Sequence, residues 1–175
     1  MKEVNVNEAA NTILEALPKG ILLNSKADKF DSMVIGWGAM GTNWAVPIFT
    51  VYVRESRFTH EQLEKNPEFT ISVPLNGIDA KINKVCGSMS GYDVDKEKEA
   101  NLTLVGGQKV SVPAIKEYPL TLECKIIQKQ LMDLSTLNEE FQKHYPNEES
   151  LKNGKKKDIH VAYTAQIVGA YILED

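Results

Sequence analysis

The sequence predicts a mainly β protein of the α+β class: a small antiparallel β-barrel with short peripheral helices. Three observations predict it. The apolar runs at residues 21–23, 33–37, 47–53 and 69–74 are short and bounded by Gly, Pro, Asn or Asp, as strands are. From Leu120 to Ile126 the pattern alternates, with Leu120, Leu122, Cys124 and Ile126 on one side and Thr121, Glu123 and Lys125 on the other, as in a half-buried strand. No long helix separates successive runs, as the crossovers of a parallel sheet would require.

Each element follows from its residues. Ala9, Ala10, Ile13, Leu14 and Leu17 form a helical stripe over residues 7–17, stopped by Pro18-Lys19-Gly20. Thr59-His60-Glu61-Gln62 fits a capping box, predicting a helix over 60–65 that ends at Asn66-Pro67. Leu134, Leu137 and Phe141 predict another over 135–143, with Pro146 beyond. Residues 147–158, with Lys155-Lys156-Lys157, have few apolar side chains and read as a mobile, solvated loop. The alternation after Leu120 loses phase at Ile127, which predicts a bulge. Residues 161–173, rich in Val, Ile, Tyr and Ala, predict a final strand or strand pair that Gly169 allows to bend.

The chain has 175 residues, 42% hydrophobic and 25% charged, which fits one domain spanning 1–175 and excludes a disordered chain. Twenty basic against 24 acidic residues give a net charge of −4, so a general nucleic-acid binder is not expected. Cys86 and Cys124 form no C-x-x-C pair, and the histidines at 60, 144 and 160 lack metal-ligand spacing, so no metal site is expected. The first residues carry no apolar signal segment, and no run approaches the ~18 apolar residues of a membrane span. The expected setting is a reducing cytoplasm, away from membranes.

Two motif matches fail on physical grounds. Gly36-Trp37-Gly38-Ala39-Met40-Gly41 fits G-x-G-x-x-G, with Glu55 about 20 positions on. Only residues 42–46 remain for a crossover that needs at least ~10. These glycines are better read as allowing a bulge and close backbone approach. Gly87-Ser88-Met89-Ser90-Gly91 has Met where a nucleophile elbow needs Ser.

Three constellations remain. Arg54-Glu55-Ser56-Arg57-Phe58-Thr59 joins a strand end to a helix start, where free N–H groups and the helix dipole favour an anion. The alternative is that Thr59 only caps the helix and the arginines are solvated. Cys86 to Lys96 is rich in small residues that let backbone approach a ligand, with Cys86 either a reactive thiol or a small hydrophobe. Trp37, Met40 and Trp44 either stack on an aromatic ligand or pack in the core.

In order and spacing, these segments resemble the flavin reductase-like family, and most closely its flavoredoxin branch. The resemblance rests on residues 33–41, Val51 to Thr59, Asn66-Pro67-Glu68-Phe69-Thr70 and Cys86 to Lys96, with His160 and the strand after it resembling the family's final segment. It implies an FMN-binding split β-barrel, usually a homodimer. It also implies that Ser56, Arg57 and Thr59 hold the FMN phosphate, with Arg54 beside them. Met33, Ile35, Gly36 and Trp37 would lie along the ring, and Cys86, Gly87 and Ser90 would close over the other edge. Lys96 would bring a positive charge near the flavin. No catalytic side chain is assigned; His160 is the candidate substrate contact. The implied activity is NAD(P)H-dependent reduction of a free flavin or small acceptor, with a non-catalytic FMN electron carrier as the alternative. Loss of the flavin, leaving a barrel for another ligand, is the third reading. Val34 stands where the family often has a small hydroxyl residue, and Ala165-Gln166 where it commonly has Gly-Glu.

Overall fold

The computed structural model describes residues 1–155 and 157–174. Asn5 opens helix α1 (Val6–Ala16), its side chain accepting from Asn7 N–H. The helix buries Ile13 and tightens into a 3₁₀ turn at Leu17–Lys19, with Pro18 fixing the geometry. Gly20 then turns the chain at φ 112°, where a Cβ would also sit 3.0 Å from Val34 Cγ1.

Strands β1 (Lys2–Glu3), β2 (Ile21–Lys26), β3 (Phe30–Ile35), β4 (Gly38–Asn43), β5 (Val46–Arg54), β6 (Glu68–Val73), β9 (Leu120–Leu131) and β10 (His160–Ile172) form one antiparallel sheet. Its order is β3-β2-β6-β9-β10-β5-β4, with β1 adding to the end of β10. β3 and β4 are consecutive in sequence yet stand at opposite ends of this path, so the sheet is open rather than closed. It curls around one core. Ile13 and Leu17 pack there with Leu23, Ile35, Phe49, Val51, Phe69, Ile71, Leu122, Tyr163 and Ile167, drawn from six strands.

The outer face of β3, β2 and β6 is covered by helices α3 (Ala80–Ser88) and α4 (Lys96–Ala100) and by the small ribbon β7 (Leu104–Val105) and β8 (Ala114–Ile115), whose connecting loop reaches β9. Leu22, Phe30, Ile82, Val85, Cys86, Leu102 and Ile115 fill this second core. A polar layer runs beneath it: Ser32 Oγ donates to Asn24 Oδ1, Asn24 Nδ2 donates to Thr70 and Ser72, and Thr70 Oγ1 donates to the Pro113 carbonyl. That cover corrects the half-buried reading of residues 120–126. Thr121 and Glu123 are fully buried, and Glu123 accepts from the N–H groups of Gln108 and Lys109 and from the Tyr171 hydroxyl.

The predicted bulge is present. Thr164 pairs with Gln128 and Ala165 with Ile126, leaving Ile127 as the extra residue; a second irregularity falls at residues 167–169, beside Gly169. The final segment is one strand. Ala165 lies outside the left-handed region, so its backbone does not require glycine.

Three further expectations are corrected. Helix α2 spans Phe58–Lys65, with Arg57 as its cap residue, so Thr59 lies inside the helix and caps nothing. The helix expected over 135–143 is two short pieces, a 3₁₀ turn at Leu134–Thr136 and α5 (Glu139–Gln142). Asp133 and Asn138 each accept from a backbone N–H two residues on and start separate turns, while Phe141 is exposed and offers no buried face. The stretch 147–158 contains helix α6 (Glu148–Lys152), capped by Asn147; Lys156 lies outside the described residues. The G-x-G-x-x-G segment is β4 and its approach, turning into β5 through Trp44 and Ala45 at φ 48° and 59°. Gly38 is where the expected close approach occurs, since a Cβ would stand 3.1–3.3 Å from Phe49, Thr50 and Leu17.

Candidate functional site

Two adjoining pockets open where β3, the β5–α2 corner and the end of α3 meet. The first is lined by Asp31, Met33, Val34, Ser56, Arg57, Phe58, Thr59, Cys86, Gly87, Ser90 and Lys96, among others. The second is lined by Met33 to Trp37 with Tyr52, Arg54, Arg57 and His160. Met33, Val34 and Arg57 line both. Every residue named from the sequence as a cofactor or substrate contact therefore borders one or both pockets. Of the three aromatic and Met candidates, only Trp37 is here. Trp44 is exposed at the hairpin tip, and Met40 packs on the core.

The candidate anion site lies at the β5–α2 corner. Helix α2 starts without a side-chain cap, and Arg57 lies at its first turn. The Arg57 guanidinium makes no hydrogen bond or ion pair with a described residue. Ser56 donates from N–H to Asp158 Oδ1 at 3.0 Å and from Oγ to Asp158 Oδ2 at 2.9 Å. The corner thus already holds a carboxylate, one from its own chain. Arg54 is committed elsewhere: it donates to the carbonyls of Asp158 and His144 at 2.8 and 3.0 Å and lies over the Tyr145 ring.

The first pocket's floor is a buried polar knot. Thr59 Oγ1 donates to Asp31 Oδ2 at 2.6 Å, Lys96 Nζ stands 3.1 Å from Asp31 Oδ1, and Lys96 also donates to the Ser32 carbonyl. Lys96 and Asp31 are 4% and 1% exposed, so the cation is offset where it sits rather than presented as a free charge. Gly91 closes over this knot; a Cβ would fall 2.4 Å from Phe58 and 2.5 Å from Asp31. Cys86 packs in the second core with its thiol pushed up by burial, so it is a hydrophobe here and not a thiolate. Val34 packs between Gly20 and Gly87.

The second pocket has an aromatic wall. Trp37 is half exposed and packs 5.1 Å from the His160 ring and 5.4 Å from His144. Tyr145 Oη lies 2.7 Å from His160 Nδ1. Burial, and then the Arg54 guanidinium, push His160 down to about 4, so its ring is neutral at pH 7.

Sequence reading missed Asp31, His144, Tyr145 and Asp158. Asp31 carries a signal, a charged residue inside an apolar strand run; the other three sit in a polar stretch with none.

A model of the flavin reductase-like domain matches residues 16–172. The chain belongs to the flavin reductase-like family. An uncharacterized protein of Archaeoglobus fulgidus is 31% identical over 122 residues, covering 66% of this chain and 68% of that protein. The crystal structure of flavoredoxin from Methanosarcina acetivorans is 25% identical with a TM-score of 0.64, covering 89% of this chain and 68% of that one. The NADH:FAD oxidoreductase of Streptomyces globisporus shares the fold, at 16% identity and a TM-score of 0.63, over 99% of this chain and 87% of that one. The open antiparallel sheet with short helices is thus a split barrel of this family. No helix among the described residues is long and apolar enough to cross a membrane.

Proposed function

We propose that residues 1–175 act as one FMN-binding domain and that the protein is an NAD(P)H-dependent reductase of a free flavin or another small acceptor. The observation that carries this is the β5–α2 corner, where Ser56 N–H and O–H hold a carboxylate beside an uncapped helix start and Arg57, whose guanidinium has no partner among the described residues. That donor set fits a phosphate. The pockets extending from it, between residues 33–37 and 86–91, suit a flat ring.

FMN, when bound, supplies the capacity to accept and pass on electrons. The chain's own residues hold and shield it. Ser56 and Arg57 bind the phosphate, and Thr59 fixes Asp31 so that β3 and α2 keep their spacing. Met33, Ile35, Gly36 and Trp37 line the ring's face, while Cys86, Gly87 and Ser90 bound the other edge. His160, neutral at pH 7, contacts substrate without donating a charge. Electron input from NADH or NADPH needs no side-chain base. The likeness to a flavoredoxin favours a second reading, an FMN electron carrier served by another protein. A cytoplasmic setting and a homodimer covering the exposed Trp37, Met89 and Tyr92 belong to the same proposal.

The test is the visible spectrum after FMN addition and gel filtration. Retained flavin bands support the proposal, and bleaching by NADH or NADPH selects reductase over carrier. A colourless protein that passes FMN straight through refutes it. Arg57→Ala is expected to weaken FMN binding by about 1.5–3 kcal/mol, the range for a hydrogen bond to a charged group. Unchanged affinity would remove Arg57 from the site.

A further inference from the structure

We infer that Asp158 is a specificity-determining residue: its carboxylate occupies the phosphate anchor and competes with the ligand's terminal anion. The inference rests on the flavin reading above. Both oxygens of Asp158 are engaged by Ser56, one by the N–H at 3.0 Å and one by the hydroxyl at 2.9 Å. The residue is held there from two sides. Its backbone adopts φ 34°, unusual for a residue with a side chain, and its carbonyl accepts from Arg54 at 2.8 Å. Arg54 also ties down the His144 carbonyl, and Tyr145 of the same segment packs edge-on to His160. The segment between β9 and β10 is thereby fastened across the site, with an anion at the point where an anion is to bind.

A phosphate and a carboxylate cannot share the two Ser56 donors, and the two charges repel at that distance. A ligand ending in phosphate has to displace Asp158. One ending in a neutral hydroxyl does not, since a hydroxyl donates to the carboxylate in place. Asp158 therefore narrows the preference for FMN over riboflavin. When the competent, Asp158-free corner is one state in ten, FMN affinity falls tenfold below its intrinsic value. Displacing Asp158 also releases its hold on the segment that carries His144 and Tyr145.

The experiment titrates FMN and riboflavin, by flavin fluorescence, into the full chain and into its Asp158→Ala and Asp158→Asn variants. Both variants are expected to bind FMN about tenfold more tightly, with riboflavin affinity changed less than twofold. Saturating FMN, but not riboflavin, is expected to speed tryptic cleavage after Lys152 and Lys155 in the unmodified chain. FMN affinity that is unchanged or weaker in both variants overturns the inference and leaves the flavin reading standing. Equal tightening of FMN and riboflavin overturns it as well, because the effect is then general loosening. Failure of every form to bind either flavin removes the flavin reading, and this inference with it.

Discussion

Lys96→Met tests whether the buried knot under the first pocket is what holds α4, β3 and α2 together. Methionine keeps most of the lysine's length and removes its charge. Asp31, 1% exposed, then keeps the Thr59 hydroxyl but loses its cation, and the Ser32 carbonyl loses its donor. Breaking a buried pair by removing one partner costs about 3–5 kcal/mol, because the remaining charge is left uncompensated. In a domain of this size that lowers Tm by roughly 6–20 °C. In urea, with a slope of about 2 kcal/mol/M, the midpoint falls by about 2 M. The decisive control is Asp31→Asn combined with Lys96→Met. It removes the stranded charge and is expected to recover at least half the loss. A Lys96→Met penalty under ~1 kcal/mol, or a double variant no more stable than the single, would refute the reasoning.

The remaining predictions are more local. Gly91→Ala places a methyl within 2.4 Å of Phe58 and 2.5 Å of Asp31, so it is expected to cost about 1–3 kcal/mol in thermal or urea melts; an unchanged midpoint would show that the 89–91 turn moves freely. His160 is held neutral down to about 4, whereas in the unfolded chain it takes a proton near 6.5. Its contribution is intact above about pH 6.5 and is lost as pH falls toward 4, by up to about 3 kcal/mol. His160→Gln should remove that part of the acid sensitivity, and stability curves for the two proteins that stay parallel from pH 7.5 to 4.5 would count against it.

The strands were legible because their cores are short apolar runs with clear punctuation. The bulge at Ile127 was legible for the same reason, since a period of two shows each break in phase. The outer cover was not. Thr121 and Glu123 alternate with apolar neighbours as a solvated face does, and nothing local says that residues 106–112 fold over them and offer two amides to a carboxylate. Helix α3 had its signals, Asp79 as cap and Ile82, Val85 and Cys86 on one face, yet sequence reading assigned residues 79–85 to no element. Thr59 misled in the other direction: its sequence context is that of a cap, and its hydroxyl instead answers Asp31, 28 positions away. The site's own residues came from motif order, while the contacts that tie Arg54 and Ser56 to Asp158 are more than 100 positions apart and leave no trace in spacing.

The single extra residue at Ile127 sets more than a local twist. Every position after it on β9 is phased against β10 by that one insertion, and the chain leaves β9 directly into the segment bearing His144, Tyr145 and Asp158. Removing Ile127 itself would leave Ile126 on Ala165 and Gln128 on Thr164, a regular ladder with residues 128–131 facing as before. The phase of β9 and not the identity of the extra residue is therefore what directs the chain toward Ser56: a substitution at Ile127, whose side chain is exposed, is tolerated, and residues 128–131 keep their partners on β10.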